Sequence, residues 1–179
     1  MKLKQKFLFH GTPHTIDHKD GQTLAPSGNG QLFATDDINY ARCYTVKNTT
    51  CTAILWGNDK YHVILTQEPE DMDHPGYIYQ IPTKRMGFKK WCDSEFVTSK
   101  TYKVNGPNAI VHGIRELIEK HDVQVYIMPE NSDPETFTKS LDCPFFIKFH
   151  DYLCNLGCRH LNSEWQHQAG AKAGTDLAL

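Results

Sequence analysis

The sequence predicts an α+β fold on three observations. Short runs of strand-favouring residues crowd the first hundred positions. Helix-period patterns gather after residue 108, and no repeat links the two halves. With 179 residues, 39% hydrophobic and 11% aromatic, the chain has material for one packed domain, or one with an appendage.

The elements follow in order. Phe7-Leu8-Phe9 favours a strand and runs straight into His10-Gly11-Thr12. A strand ending this way places an imidazole at the mouth of a sheet, and Gly11, lacking a Cβ, admits a backbone or a ligand at close range. Residues 13–30, rich in Pro, Gly, Asp and His, read as a loop with one short turn of structure around Leu24. Residues 31–34 read as a short strand. Thr35 or Asp36 then offers an N-cap for a helix through Ile38, Ala41 and Val46. Strands are expected at 61–66, at 77–81 before Pro82, and at 95–99.

A helix is expected over 108–121, with Ile110, Val111, Ile114, Leu117 and Ile118 at helical spacing. A strand follows at 123–128, ended by Pro129, then a linker at 131–134 and an aromatic-rich helix at 145–161. Residues 169–179 are small and polar and read as a frayed tail. This organisation divides the chain into a domain at 1–130 and a helical C-terminal extension at 131–179.

Charge and composition narrow the function. A net charge of −2, from 19 basic and 21 acidic residues, provides no general field for holding nucleic acid. No apolar run approaches the ~20 residues that span a bilayer. Only three apolar residues follow the basic start, too few for a signal-peptide core. The expectation is a cytoplasmic protein without a membrane partner. The cysteines Cys43, Cys51, Cys92, Cys143, Cys154 and Cys158 are then expected as free thiols. On a helix His150, Cys154 and Cys158 would share a face, with His160 close by. The tight Cys-x2-Cys pair of structural zinc sites is absent, so no metal is expected and the thiols read as helical core.

Four residues invite a chemical reading. Taken singly, His10 is a sheet-edge histidine bonded to backbone, Phe33 a core residue of a short strand, and Tyr44 a packing residue with its hydroxyl at the surface. Glu95 opens an apolar strand, where a carboxylate is either solvated or aimed into a cleft, with Asp93 two positions earlier.

Taken together, Leu8-Phe9-His10-Gly11-Thr12, Gly30-Gln31-Leu32-Phe33-Ala34-Thr35-Asp36 with Tyr44 downstream, and Ser94-Glu95-Phe96-Val97 resemble the three ordered motifs of the ADP-ribosyltransferase superfamily. The branch resembled carries a His-Tyr-Glu signature and includes poly(ADP-ribose) polymerases and rifampin ADP-ribosyltransferases. Pro26 and Gly28 are similar to that family's nucleotide-facing loop. The resemblance covers residues 7–104, and the helix and strand at 108–128 would complete the same sheet. The resemblance does not extend to the tail from 131.

The resemblance implies split antiparallel sheets with flanking helices around an NAD⁺ site. It implies that His10 hydrogen-bonds the adenosine ribose, that the Gly11 backbone meets the nicotinamide amide with Thr12 beside it, and that Phe33 and Tyr44 sandwich the nicotinamide ring. Glu95 would hold the nicotinamide ribose and stabilise the charge that develops as nicotinamide leaves. Phe33 stands where the family has tyrosine, which keeps the ring face and loses a hydroxyl. A shifted register would offer Tyr40 there instead.

The function implied is transfer of ADP-ribose from NAD⁺ to a protein, nucleic-acid or small-molecule acceptor. Two alternatives stand beside it. The related RNA 2′-phosphotransferases need several arginines to hold phosphate, and the first hundred residues hold only Arg42 and Arg85. The other is a catalytically idle nucleotide-binding module that docks a macromolecule through residues 131–179. The segment at 84–91, with four positive charges, Phe88 and Trp91, lies where the family places acceptor recognition. Solvated lysines account for it equally well.

Overall fold

Strand β1 (Phe7–Thr12) is an inner strand of a six-stranded sheet. The computed structural model describes residues 6–16, 23–27, 29–46, 51–83, 87–92, 94–143 and 147–167. Gly28, Asp93, the stretch 84–86 and the expected frayed tail at 169–179 lie outside them. Over the described residues the fold is mixed α+β.

On one side β1 pairs antiparallel with β6 (Gly76–Pro82), from Phe7↔Pro82 to Thr12↔Tyr77. On the other it meets β3 (Leu32–Thr35) at Phe9↔Thr35. β3 in turn pairs with β8 (Glu95–Thr98), and β8 with β7 (Lys89–Lys90). β10 (Ala109–Val111) closes the far edge on β6. The result is six antiparallel strands in the order β10-β6-β1-β3-β8-β7. Leu8, Leu32, Ala34, Tyr79, Ile81 and Phe96 bury one face. Leu24 of β2 (Thr23–Leu24), which pairs with β9 (Tyr102–Lys103), joins that core with Val104 and Phe88. By strand alternation, Phe9, Phe33, Thr35 and Glu95 belong to the opposite face.

That second face carries α1 (Ile38–Cys43). Its N-cap is Asp37, whose carboxylate accepts the Asn39 amide at 2.8 Å; Thr35 instead takes the Asp37 amide at 3.1 Å. The cap therefore falls one residue beyond the expected Thr35 or Asp36, and the helix ends before Val46. Gly11 makes the packing possible. A Cβ there would sit 1.9 Å from the carbonyl oxygen of Ala41, so β1 and α1 touch backbone to backbone.

A second group of elements surrounds β5 (Lys60–Leu65). β4 (Cys51–Gly57), a strand with no counterpart in the sequence reading, forms a hairpin with it. The turn residues Asn58 and Asp59 have φ of 52° and 61°, the left-handed pair that a two-residue hairpin requires. β11 (Gln124–Ile127) lies parallel to β5, and β12 (Arg159–His160) adds antiparallel to β11. The sheet order is β12-β11-β5-β4.

Several expected boundaries move. Residues 109–111 are strand rather than the start of a helix. Ile110 and Val111 fit either period over so short a window, and the edge of β6 supplies hydrogen-bond partners that an isolated first turn lacks. The helix proper is α2 (Gly113–His121), and β11 joins the β5 sheet, not the sheet of β1. The expected linker is the N-cap of α3 (Pro134–Lys139): Asp133 accepts the Thr136 amide at 2.8 Å, and Pro134 opens the helix. The expected long helix is α4 (Phe149–Asn155) only. Gly157, at φ +87°, ends it in the left-handed conformation, and a further helix at 161–167 follows β12.

Contacts divide the chain into two compact units, residues 1–48 with 71–117 and residues 49–70 with 118–179. This differs from a linear boundary at 130, because β11 and β12 pair with β5. The second unit has its own core of Ile64, Tyr126, Met128, Phe137, Leu153 and Cys158. Among the described residues no helix is long and apolar enough to cross a membrane.

Candidate functional site

In the first unit, three neighbouring strands and one helix end each deliver one functional side chain. β1 contributes His10, β3 Phe33, the first position of β8 Glu95, and the C-cap of α1 Tyr44. The register brings one of them, Glu95, level with β1. Phe9 pairs with Thr35 and Thr35 with Glu95, so one cross-strand row leads from β1 to the carboxylate. His10, Gly11, Thr12, Phe33, Tyr44 and Glu95 all line one cleft of about 370 Å³. Behind it, Phe9, Ala34 and Thr35 complete a narrow recess of about 40 Å³.

His10 is held by its own neighbour strand. Its Nδ1 donates to the carbonyl of Phe33 at 2.7 Å, which fixes the tautomer and leaves Nε2 as an acceptor. Burial pushes its pKa below the ordinary 6.5, against the opposing pull of the Phe33 bond, so the imidazole is neutral at pH 7. Gly11 lines the cleft with backbone, though the close approach that demands a glycine comes from Ala41. The Phe33 ring meets Trp91 edge-on, with centroids 6.3 Å apart at 87°.

Glu95 gathers donors. Oε1 accepts the hydroxyl of Tyr44 in a short bond and that of Tyr40 at 3.3 Å, and Oε2 faces the Cys92 thiol at 3.2 Å. Tyr40 and Tyr44 also meet each other, rings 5.1 Å apart and hydroxyls 3.3 Å apart. Burial first, and then the Glu95 charge and hydrogen bond, push the Tyr40 phenol up to about 12. Burial, followed by the bond to Glu95, pushes Tyr44 higher still. Both phenols are therefore protonated donors. Tyr44 turns its hydroxyl to Glu95, a contact that a stacking role does not require.

Tyr40 and Cys92 are the members that sequence reasoning left outside the carboxylate's surroundings. The i,i+4 spacing of Tyr40 and Tyr44 on a short helix was the available signal for the first. Cys92 had none, because its contact depends on the turn between β7 and β8, where the Trp91 amide donates to the Glu95 carbonyl at 2.8 Å. Of the basic segment, Phe88 is core, while Lys89, Lys90 and Trp91 are exposed. Arg42 donates to Asn39 on its own helix and is not among the residues lining the cleft; Arg85 lies outside the described residues.

The histidines and cysteines of the second unit make a separate cluster. Tyr126 stacks on His160 at 4.7 Å and on His62 at 5.7 Å, and its hydroxyl meets Nδ1 of His150 at 3.1 Å. The Cys154 thiol lies 3.8 Å from His150 Nε2, while Cys158 is buried in the apolar core. No group of three or more His, Cys, Asp or Glu among the described residues is arranged to hold a metal ion.

A cleft lined by a neutral imidazole, two aromatic side chains and an oriented carboxylate suits a ligand that carries a flat cation next to hydroxyls. Compared with protein-family models, curated proteins and solved structures, the chain matches none of them.

Proposed function

We propose that the protein is an NAD⁺-dependent ADP-ribosyltransferase, with the first unit as the catalytic body in an ADP-ribosyltransferase-like arrangement. The observation that carries this reading is the meeting of Phe33, Tyr44 and Glu95 in one cleft beside His10. A carboxylate beside aromatic rings attracts a pyridinium, and NAD⁺ offers one joined to a ribose. The same lining disfavours the RNA 2′-phosphotransferase reading. The described lining residues include Glu95 and neither lysine nor arginine, a poor place for RNA phosphate.

In the proposed reaction the bond between the ribose C1′ and the nicotinamide nitrogen breaks, and its electron pair leaves with neutral nicotinamide. Positive charge grows on C1′ and the ring oxygen, and Glu95 stabilises it through the ribose hydroxyls. A nucleophile of the acceptor, or water, then bonds to C1′ and gives up its proton. Neutral His10 accepts through Nε2 from the adenosine ribose, and the Phe33 and Tyr44 rings hold the leaving group. The exposed Lys89, Lys90 and Trp91, the last in edge contact with Phe33, would then meet the acceptor. An acceptor on a protein, a nucleic acid or a small molecule is compatible with this chemistry.

Incubation with NAD⁺ labelled on its adenine side, together with whole-cell lysate, tests the reading while free nicotinamide is quantified. Label transferred to an acceptor, or nicotinamide released without one, is expected. Neither, at enzyme concentrations near that of NAD⁺, rules the activity out and leaves an idle binding module.

A further inference from the structure

The strongest unexplained feature of the cleft is the number of donors on one carboxylate oxygen. A glutamate at the start of a strand has free rotation about three side-chain bonds, and ordering it costs entropy that a hydrogen bond must offset. Glu95 receives two phenols on Oε1, from a helix that Gly11 seats directly against β1. Among the described residues the other oxygen, Oε2, carries only the Cys92 thiol at 3.2 Å, a weak donor on an exposed residue. The two oxygens are thus unequally held.

We propose that Tyr44 and Tyr40 are positioning residues that clamp Oε1 of Glu95 so that Oε2 is presented to the ribose, whose hydroxyl displaces the Cys92 thiol. The proposal rests on the transferase reading for the identity of the incoming hydroxyl, and on geometry alone for the clamp. A ribose hydroxyl is a stronger donor than a thiol, so the exchange at Oε2 favours substrate. Oε1 stays with the phenols throughout, and the carboxylate does not have to reorganise as charge develops on C1′. Tyr44 acquires two separable functions: its ring borders the leaving group, and its hydroxyl acts on Glu95. Tyr40 supports the second function, because its single proton reaches either Oε1 or the Tyr44 oxygen.

Tyr44→Phe separates these functions, since it keeps the ring and deletes the hydroxyl. Nicotinamide release is measured in wild type, Tyr44→Phe and Tyr40→Phe, with circular dichroism verifying that each is folded. Tyr44→Phe is expected to lower kcat about tenfold, and Tyr40→Phe about threefold, while KM for NAD⁺ stays within about twofold. An unchanged kcat in Tyr44→Phe overturns the clamp, as does a higher KM at constant kcat, which is the mark of a ring that only binds. A second readout needs no turnover. The tyrosine Raman doublet in the difference spectrum of wild type minus Tyr44→Phe should carry the signature of a strong donor, and Glu95→Gln should weaken it. If wild type releases no nicotinamide, the transferase reading fails by itself and the difference spectrum decides the clamp. A spectrum without the donor signature overturns the clamp even in an active enzyme.

Discussion

The hydroxyl of Tyr44 donates to Oε1 of Glu95 across 51 residues of sequence, joining the end of α1 to the start of β8. The helix reaches that point because it rests on β1 at Gly11, and the strand because Glu95 pairs with Thr35. Catalysis in the proposed site depends on this carboxylate more than on any other group. Glu95→Gln keeps the size and removes the charge, so nicotinamide release is expected to fall about a thousandfold with little change in melting temperature. Turnover equal to wild type would exclude Glu95 from the chemistry.

Phe33 offers a ring face and its own carbonyl, which holds His10. Phe33→Ala removes only the first, so KM for NAD⁺ should rise about tenfold while the His10 bond persists. Phe33→Tyr retains the face, and activity at or above wild type is expected. A fall in Phe33→Tyr would instead place Tyr40 in the aromatic position and make Phe33 a packing residue.

Gly11→Ala tests the seat of the helix. Its added methyl would lie 1.9 Å from the Ala41 carbonyl oxygen and 3.1 Å from Tyr44 Cβ, so backbone must move. Overpacking of this kind costs about 3 kcal/mol, readable as a lower denaturation midpoint in urea. Because the same displacement carries Tyr44 away from Glu95, activity should drop even under conditions where the variant is fully folded. Wild-type stability in Gly11→Ala would show that α1 yields without strain.

The second unit should be acid-sensitive. Burial, and then the neighbouring His150 and His62 charges, push His160 down to about 4; burial first also lowers His62, whose Nδ1 has no hydrogen-bond partner among the described residues. Lys60, His150, Asp151, Cys154, Cys158 and Glu164 are the other titratable or charged groups that act on this cluster. The folded state prefers neutral imidazoles, so the unfolded chain binds more protons below pH 6.5. Stability is therefore complete above about pH 6.5 and declines toward pH 4. Urea midpoints measured every half unit from pH 7.5 to 4.5 should fall across that window, and His160→Gln should make the fall shallower throughout it. A flat wild-type profile between pH 7 and 5 would contradict the burial of neutral histidines.

Much of the site was readable because its parts are local. The strand running into His10-Gly11-Thr12, the strand through Phe33 and the strand opening at Glu95 each follow from alternation and composition within a few residues. Asp37 at the head of α1 was nearly readable for the same reason. What failed was competition between neighbours. Ile110 and Val111 pair with β6 rather than starting α2, and a helix expected to run through 161 stops at Gly157. β4 escaped notice although Asn58-Asp59 supplies a hairpin turn.

The sequence by itself determined the α+β class, the residue types of the cleft and their order along the chain, because side-chain period and backbone preference act over a few bonds. The tertiary structure decided which strands became neighbours, that β11 lies on β5 and not in the sheet of β1, and that Tyr44 and Tyr40 turn their hydroxyls to Glu95. Those outcomes depend on long-range pairing and on a helix set down at contact distance, and the free energy that selects them exists only when distant segments bury each other.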